Sequence, residues 1–160
     1  MNKQEIYALL TAKGLWHEIT EHGAVYNMED LSHVELPYPE ADAKNLFVRD
    51  DKKRNYYLIT VTSEKRVDLK EFKNRYGTAK LSFASADDLM AIMGLIPGAV
   101  TPLGLLNDEE NKVKLFLDKT FADGLIGVHP NDNTATVWMK TQDLVNLIQE
   151  SGHEVQMVEI

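Results

Sequence analysis

Lys44 is the first of three places in this 160-residue sequence that are suited to chemistry. It comes directly before the apolar run Asn45–Val48, so we expect its amine at the edge of a strand, over a cleft. A lysine amine is a compact positive charge that suits a phosphate or a developing oxyanion. A lysine here can equally be structural, with its stem on apolar surface and its amine in water.

The second place is the segment Gly94–Asp108, which holds three of the nine glycines and two of the five prolines. Pro97 and Pro102 fix φ and remove two donors, whereas Gly98 and Gly104 permit dihedral angles that other residues avoid. The segment has no helical or alternating period, yet it is too apolar for a solvated linker. We therefore predict a shaped loop, which either points backbone N–H groups at a ligand or crosses sharply over the core.

The third place is His129, which stands between two predicted strands and next to the turn residues 130–133. A histidine there can donate, accept or shape the wall of a pocket, or it can simply bind the backbone of its turn. His17 and His22 are five residues apart, which is the wrong spacing for one face of a helix or strand. We therefore expect no metal site at these two histidines.

Other catalytic signatures are missing from the sequence. There is no G-x-x-x-x-G-K-[ST], no G-x-S-x-G and no H-E-x-x-H motif. The absence of cysteine excludes disulfides, Cys-ligated zinc and a thiol nucleophile. No side-chain nucleophile therefore stands out.

Composition indicates one soluble globular domain over residues 1–160, with 44% apolar and 26% charged residues. No apolar run approaches the roughly 20 residues that span a bilayer, and the first residues lack the apolar core of a signal peptide. We expect a cytoplasmic protein without membrane contact.

Charge is distributed unevenly around the net value of −8. The span Lys44–Lys80 holds 11 of the 17 basic residues and five acidic ones, so it carries +6 against −14 elsewhere. This basic span is either a phosphate-facing surface or the ordinary solvated face of a hairpin and a helix.

The hydrophobic pattern supplies elements that would position these groups. Predicted helices begin after Asn2, Asp68, Ser85 and Thr141. Predicted strands cover Leu15–Thr20, Asn45–Arg49, Tyr56–Thr62, Leu81–Ala84, Lys112–Asp118 (half-buried), Leu125–Val128, Thr134–Met139 and Val155–Ile160. Residues 23–43 form a predicted lid or wall, with one or two helical turns over Asn27–Val34. The fold class is α/β, with a mixed, mainly antiparallel sheet or a partly closed barrel flanked by helices.

Four blocks in this order resemble the YbaK/ProX family of aminoacyl-tRNA deacylases, which is related to the editing domain of bacterial prolyl-tRNA synthetase. The blocks are Lys44–Phe47, Leu81–Ala84, Gly94–Asp108 and His129–Thr136. Their order and spacing match from about residue 15 to the end, and the long form of the third block is closest to the freestanding ProX branch.

This resemblance implies hydrolysis of the ester that joins a wrong amino acid to the 3′ end of a tRNA. Lys44 matches the essential lysine near the terminal adenosine and its phosphate, with Asn45 beside it. Gly98–Pro102 matches the G-x-x-x-P loop, so Gly98 joins Lys44 and His129 as a catalytic candidate. The substrate-binding candidates are Asn45, Ala99, Val100, Thr101, Pro102 and Val128.

In the family the nucleophile is water, helped by a ribose hydroxyl of the tRNA, and no metal or organic cofactor is expected. The implied partners are the aminoacylated acceptor end of tRNA and prolyl-tRNA synthetase. Our own inference places tRNA contacts on the basic span. The residues concerned are Lys52, Lys53, Arg54, Arg66, Lys70 and Lys73.

A pocket that excludes proline by size predicts alanyl-tRNA(Pro) as the substrate, because a pocket rejects a larger side chain more readily than a smaller one. Two alternatives stay open at this point. One is a deacylase for another small amino acid such as cysteine. The other is a non-catalytic module of the same fold that binds aminoacyl-tRNA or an amino acid.

Overall fold

The computed structural model describes residues 1–24 and 34–160. The helical turns predicted over Asn27–Val34 lie, apart from Val34 itself, outside the described residues. The helices are α1 (Lys3–Ala12), α2 (Leu69–Tyr76), α3 (Ala86–Met93) and α4 (Thr141–Glu150). The strands are β1 (His17–Glu21), β2 (Ala43–Asp50), β3 (Tyr56–Thr62), β4 (Leu81–Phe83), β5 (Val113–Asp118), β6 (Leu125–Val128), β7 (Ala135–Lys140) and β8 (Val155–Val158).

The strands form two sheets, with the orders β4-β2-β3-β5-β8 and β1-β7-β6. β2 pairs antiparallel with β3 and β4, whereas β3, β5 and β8 run parallel. All pairs of the smaller sheet are antiparallel. One parallel bridge, between Asp42 and Gly127, joins the start of β2 to β6. The predicted mixed, mainly antiparallel sheet flanked by helices is confirmed, and in the described ranges the sheets do not close into a barrel.

Helix ends follow the predicted capping residues, with one exception. Asn2 forms a capping box with Glu5, and the Asp68 carboxylate accepts the first N–H groups of α2. Gly94 ends α3 in the left-handed region at φ +65°, where a residue without Cβ is favoured. The predicted cap of α4 is wrong, because Thr141 is the first helical residue and Lys140 precedes it. Within the described ranges, the buried Thr141 hydroxyl has no hydrogen-bond partner.

The core lies on both faces of the larger sheet, because alternate residues of its central strands point to opposite sides. Leu58 and Leu115 join the cluster under α1, α3 and α4, whereas Ile59 and Phe116 join the cluster under α2. The prediction of β5 as a half-buried strand is therefore wrong. β5 lies between β3 and β8, and α2 covers its second face through Phe72 against Phe116.

Candidate active site

Lys44 is the second residue of β2 and lies opposite Val61 of β3. Its half-buried amine donates a hydrogen bond to the main-chain carbonyl of Lys65, just after β3. Burial lowers the pKa of this amine, and the positive charge of Arg66 lowers it further. Within the described residues, no carboxylate oxygen lies within 4.0 Å of a side-chain nitrogen of Lys44 or Arg66. Two cations close together without a carboxylate form a site that suits an anion.

Asn45 connects this strand to the proline-rich loop. Its amide nitrogen donates to the Val100 carbonyl at 3.3 Å. Its amide oxygen accepts the hydroxyl of Thr60, directly opposite on β3, at 2.6 Å. Because Thr60 is completely buried, this hydroxyl fixes the orientation of the Asn45 amide. Asn45 thus holds the loop against β2, at the residue that follows Lys44.

The loop consists of two short 3₁₀ turns, Pro97–Ala99 and Pro102–Asn107. The Ala99 N–H donates to the Ile96 carbonyl at 2.9 Å, so it is occupied within the loop. In the part of the chain that the structure describes, the N–H groups of Gly98 and Val100 have no acceptor. These two are therefore the donors that the loop offers to a ligand.

Four predicted substrate-binding side chains are buried in the protein interior: Ala99, Thr101, Pro102 and Val128. They support the wall of the site, and only their main chain is in a position to face a ligand. Gly104 explains the tight packing behind the wall, because a Cβ there would lie 2.8 Å from the Met93 methyl group. The loop packs on the core, and its Gly98 and Val100 N–H groups have no acceptor among the described residues. The interpretation as a crossover over the core and the interpretation as a ligand-facing loop are therefore compatible.

His129 directly follows β6, and its Nδ1 lies 2.8 Å from the Ala135 carbonyl. A carbonyl only accepts, so Nδ1 carries the proton and Nε2 of the neutral ring is an acceptor. Burial lowers the pKa of this imidazole; the Ala135 hydrogen bond opposes the shift, and a charge on His22 would add to it. The two histidine rings meet edge to face, with centroids 6.1 Å apart. His129 is therefore held neutral near pH 7.

The bridge between Asp42 and Gly127 brings Lys44 and His129 to the same region. The bridge is parallel, and each of the two residues comes two positions after a bridge partner, so they occupy equivalent positions along β2 and β6. Val128, Val100 and Ala43 also pack in one hydrophobic cluster. The Asp42–Gly127 bridge and the Asn45–Val100 contact therefore bring the start of β2 close to the main chain of β6 and of the loop.

Asp42 is a site residue that sequence reasoning missed. It is 5% exposed, and burial raises the pKa of its carboxyl group to about 7, against the opposing hydrogen bond from the Ala43 main chain. Thr60 and Lys65 were missed as well. The available signal was a polar residue within an apolar strand or near one of its ends, although such residues are also common on exposed sheet faces.

The predicted tRNA-binding residues fall into separate groups. Arg66 directly follows Lys65, whose carbonyl accepts the Lys44 amine, and its positive charge lowers the pKa of Lys44. Lys52–Arg54 occupy the exposed turn between β2 and β3. This turn begins beyond the far end of β2, six residues from Lys44, or about 20 Å at roughly 3.3 Å per residue. Lys70 and Lys73 lie on α2, which packs on the second core cluster.

Among the described residues, no group of three or more His, Asp or Glu side chains is arranged to hold a metal ion. Over the same ranges, the helices are too short or too polar to cross a bilayer.

The chain is similar to proteins of a known family. The family described as aminoacyl-tRNA editing domain matches residues 22–147. Prolyl-tRNA editing protein ProX of Acetoanaerobium sticklandii is 36% identical over 159 residues, which cover 99% of this chain and 97% of that protein. Prolyl-tRNA synthetase associated domain-containing protein 1 of Mus musculus is 29% identical over 157 residues, which cover 95% of this chain and 92% of the relative.

A solved structure shares the fold. The crystal structure of a candidate trans-editing enzyme for prolyl-tRNA synthetase superimposes with a TM-score of 0.67 at 18% identity, covering 99% of this chain and 96% of the other. Because the domain match spans most of the chain and the bacterial relative aligns over nearly all of it, the chain belongs to the aminoacyl-tRNA editing domain family.

Proposed function

We propose that this protein is a trans-editing hydrolase that removes alanine from mischarged tRNA(Pro). The observation that carries the proposal is the Asn45 amide, which ties the Val100 carbonyl to the strand that bears Lys44. This contact fixes the loop, whose Gly98 and Val100 N–H groups have no acceptor among the described residues, to the strand that carries Lys44. Family membership and the name of the bacterial relative support the same conclusion.

The reaction is the addition of water to the ester carbonyl of the aminoacyl-tRNA. The carbonyl oxygen becomes an oxyanion, and the free N–H groups of Gly98 and Val100 are the donors available to it. The bond to the ribose oxygen then breaks, and that oxygen takes the proton that water has lost. One such donor is worth about 2.7–4 kcal/mol in the transition state of an acyl transfer.

Lys44 supplies positive charge at the terminal phosphate and ribose of the tRNA. Its amine rests on the Lys65 carbonyl and has no carboxylate partner among the described residues, so an arriving phosphate does not have to displace one. Arg66 adds a second positive charge next to it. Both cations gain from phosphate binding, because it compensates their mutual repulsion.

His129 lines the amino-acid side of the site. Its Nδ1–H is held by Ala135, which leaves Nε2 as an acceptor for the α-ammonium group of the aminoacyl ester. The buried Val128 directly precedes His129 and supports this side of the site from the interior. A pocket of this kind rejects proline sterically but discriminates smaller side chains by only about 1–3 kcal/mol per methylene.

The remaining predicted tRNA contacts serve different parts of the nucleic acid. Arg66 is close enough to Lys44 to share the acceptor end, whereas Lys52–Arg54 lie about 20 Å away, where the acceptor stem would pass. If these hairpin residues bind phosphates, Lys53→Ala lowers tRNA affinity and reduces the salt slope by about one. Lys13→Ala, on an exposed ion pair with Glu150, is the matched control. Prolyl-tRNA synthetase is proposed as the partner from which the mischarged tRNA is released.

The test is a release assay with labelled alanine, cysteine or proline on tRNA(Pro), each in large excess over the protein. We expect many turnovers with alanine and no release above the spontaneous rate with proline. Faster release of cysteine would change the substrate. Stoichiometric capture without turnover would instead identify a binding module, and neither release nor capture would refute the proposal altogether.

A further inference from the structure

The turn after β3, residues 63–66, holds the amine of Lys44. The contact is to the main-chain carbonyl of Lys65, so a side-chain substitution at position 65 leaves the acceptor itself in place. The Ser63 N–H in the same turn donates to the Asp42 carbonyl at 3.0 Å, which ties the turn to the residue just before β2. The position of the Lys44 amine therefore depends on whatever fixes this turn.

The Lys65 side chain anchors the turn to the end of β5. Its Nζ lies 2.5 Å from Oδ2 of Asp118, 3.0 Å from the Thr120 hydroxyl and 3.3 Å from the Ile160 carbonyl. Asp118 is 1% exposed, and its second oxygen accepts the N–H and the hydroxyl of Thr120. A buried carboxylate with all its partners in place resists displacement, because the loss of its cation leaves the charge uncompensated.

We propose that the Lys65–Asp118 ion pair is a positioning device for the Lys44 amine, acting through the Lys65 main chain. Lys65 and Asp118 are positioning residues in this view, since neither side chain touches the reacting ester. The expected effect on kcat rests on the proposed deacylation, whereas the expected effect on the position of the Lys44 amine does not.

The Lys65–Asp118 ion pair explains how two lysines, Lys44 and Lys65, can lie next to each other here. Asp118 draws the Lys65 ammonium away from Lys44, so that only its carbonyl faces the Lys44 amine. Without the pair, two ammonium groups and the Arg66 guanidinium would share the site. A displacement of about 1 Å in a reacting group can lower a rate by about 10²-fold, so a loosened turn has a measurable effect.

The kinetic test compares Lys65→Met, Lys65→Arg and the neutral pair Lys65→Met/Asp118→Asn. We expect kcat to fall about 10- to 100-fold in the first and third, with KM changed less than twofold. Lys65→Arg keeps the ion pair and should stay within about threefold of the wild type. Lys13→Met, which breaks the exposed pair with Glu150, is the matched control and should leave kcat unchanged.

Two further measurements separate positioning from a general loss of structure. In a Lys44→Met background, Lys65→Met should cause no additional loss of activity, because the group that it positions is gone. Equal losses in both backgrounds would overturn the proposal. In protein labelled with ¹³C-lysine, the Cε resonance that disappears in Lys44→Arg reports the titration of Lys44 directly.

The pKa of Lys44 should rise toward its ordinary value when Lys65→Met loosens the turn, because the amine gains water and moves away from Arg66. An unchanged titration in Lys65→Met would overturn the positioning role. The titration needs no tRNA, so it tests the positioning role separately from the proposed function. A wild-type protein without deacylase activity would refute the proposed function, and the titration would still decide the positioning role.

Discussion

Replacing Asn45 by alanine removes both hydrogen bonds of its side-chain amide, one to the loop and one to β3. The change deletes the donor to the Val100 carbonyl and the acceptor of the Thr60 hydroxyl. Thr60 is completely buried, so its hydroxyl has no route to water. An orphaned buried hydroxyl costs about 1–3 kcal/mol, and the lost bond to Val100 adds about 0.5–1.5 kcal/mol. We expect Asn45→Ala to lower the free energy of unfolding by about 2–4 kcal/mol.

A double-mutant cycle with Thr60→Val tests this reasoning. Valine has nearly the shape of threonine and favours strands, so it removes the hydroxyl without opening a cavity. Thr60→Val alone should lower the free energy of unfolding by about 1 kcal/mol, because it leaves the half-exposed Asn45 oxygen to water. Added to Asn45→Ala, it should cause no further loss, since no orphaned hydroxyl remains.

Urea unfolding of the two single variants and the double variant measures the cycle. Strict additivity of the two losses would refute the account of the Asn45 amide. Asn146→Ala is the control, because the Asn146 side chain makes an exposed bond to Gln142 and should change the free energy by less than about 0.5 kcal/mol. The deacylation rate of Asn45→Ala should fall as well, since Val100 loses its tie to β2.

Three further predictions concern the same end of the fold. His129→Gln should remove a pH dependence of stability: because the folded pKa of His129 is lowered, the wild type should lose stability relative to the variant as pH falls from 7 to 5, and parallel urea curves would contradict this. Asp42→Asn should be more stable than the wild type at pH 8 by about 2–4 kcal/mol and equal to it near pH 4, because the folded carboxyl titrates at about 7; the opposite trend would place that carboxylate in a favourable ion pair. Gly127→Ala should lower the free energy of unfolding by about 1–3 kcal/mol, because its Cβ would clash with the buried Trp138 ring, and an unchanged melting temperature would show that the ring moves easily.

Much of the fold follows from local patterns. The helix caps at Asn2, Asp68 and Ser85 have short-range causes and are confirmed. Two predictions were wrong, namely Thr141 as the cap of α4 and β5 as a half-buried strand. Both depend on packing between segments that are distant in the sequence. Phe116 is buried because α2 packs on that face of the sheet through Phe72. The alternation of residues along β5 cannot predict this contact, because it comes from a helix about 40 residues earlier in the sequence.

The candidate site divides in the same way. Lys44, the loop and His129 are recognisable by residue type and order. The contacts that assemble them are not, because Asn45 meets Val100 across 55 positions and Lys65 meets Asp118 across 53. The basic span likewise shows which residues are positively charged but not where they lie in the fold. Lys44 is near the start of β2 and the hairpin turn follows its end, so nearly the whole length of the strand separates them.

The most direct measurement of the central claim is single-turnover hydrolysis of alanyl-tRNA(Pro) by the wild type and by Lys44→Ala. We expect the wild type to release alanine far above the spontaneous rate. We also expect Lys44→Ala to nearly abolish release while its urea midpoint stays close to that of the wild type. An unaffected rate in the folded variant would remove Lys44 from the mechanism, and absence of release by the wild type would contradict the deacylase function itself.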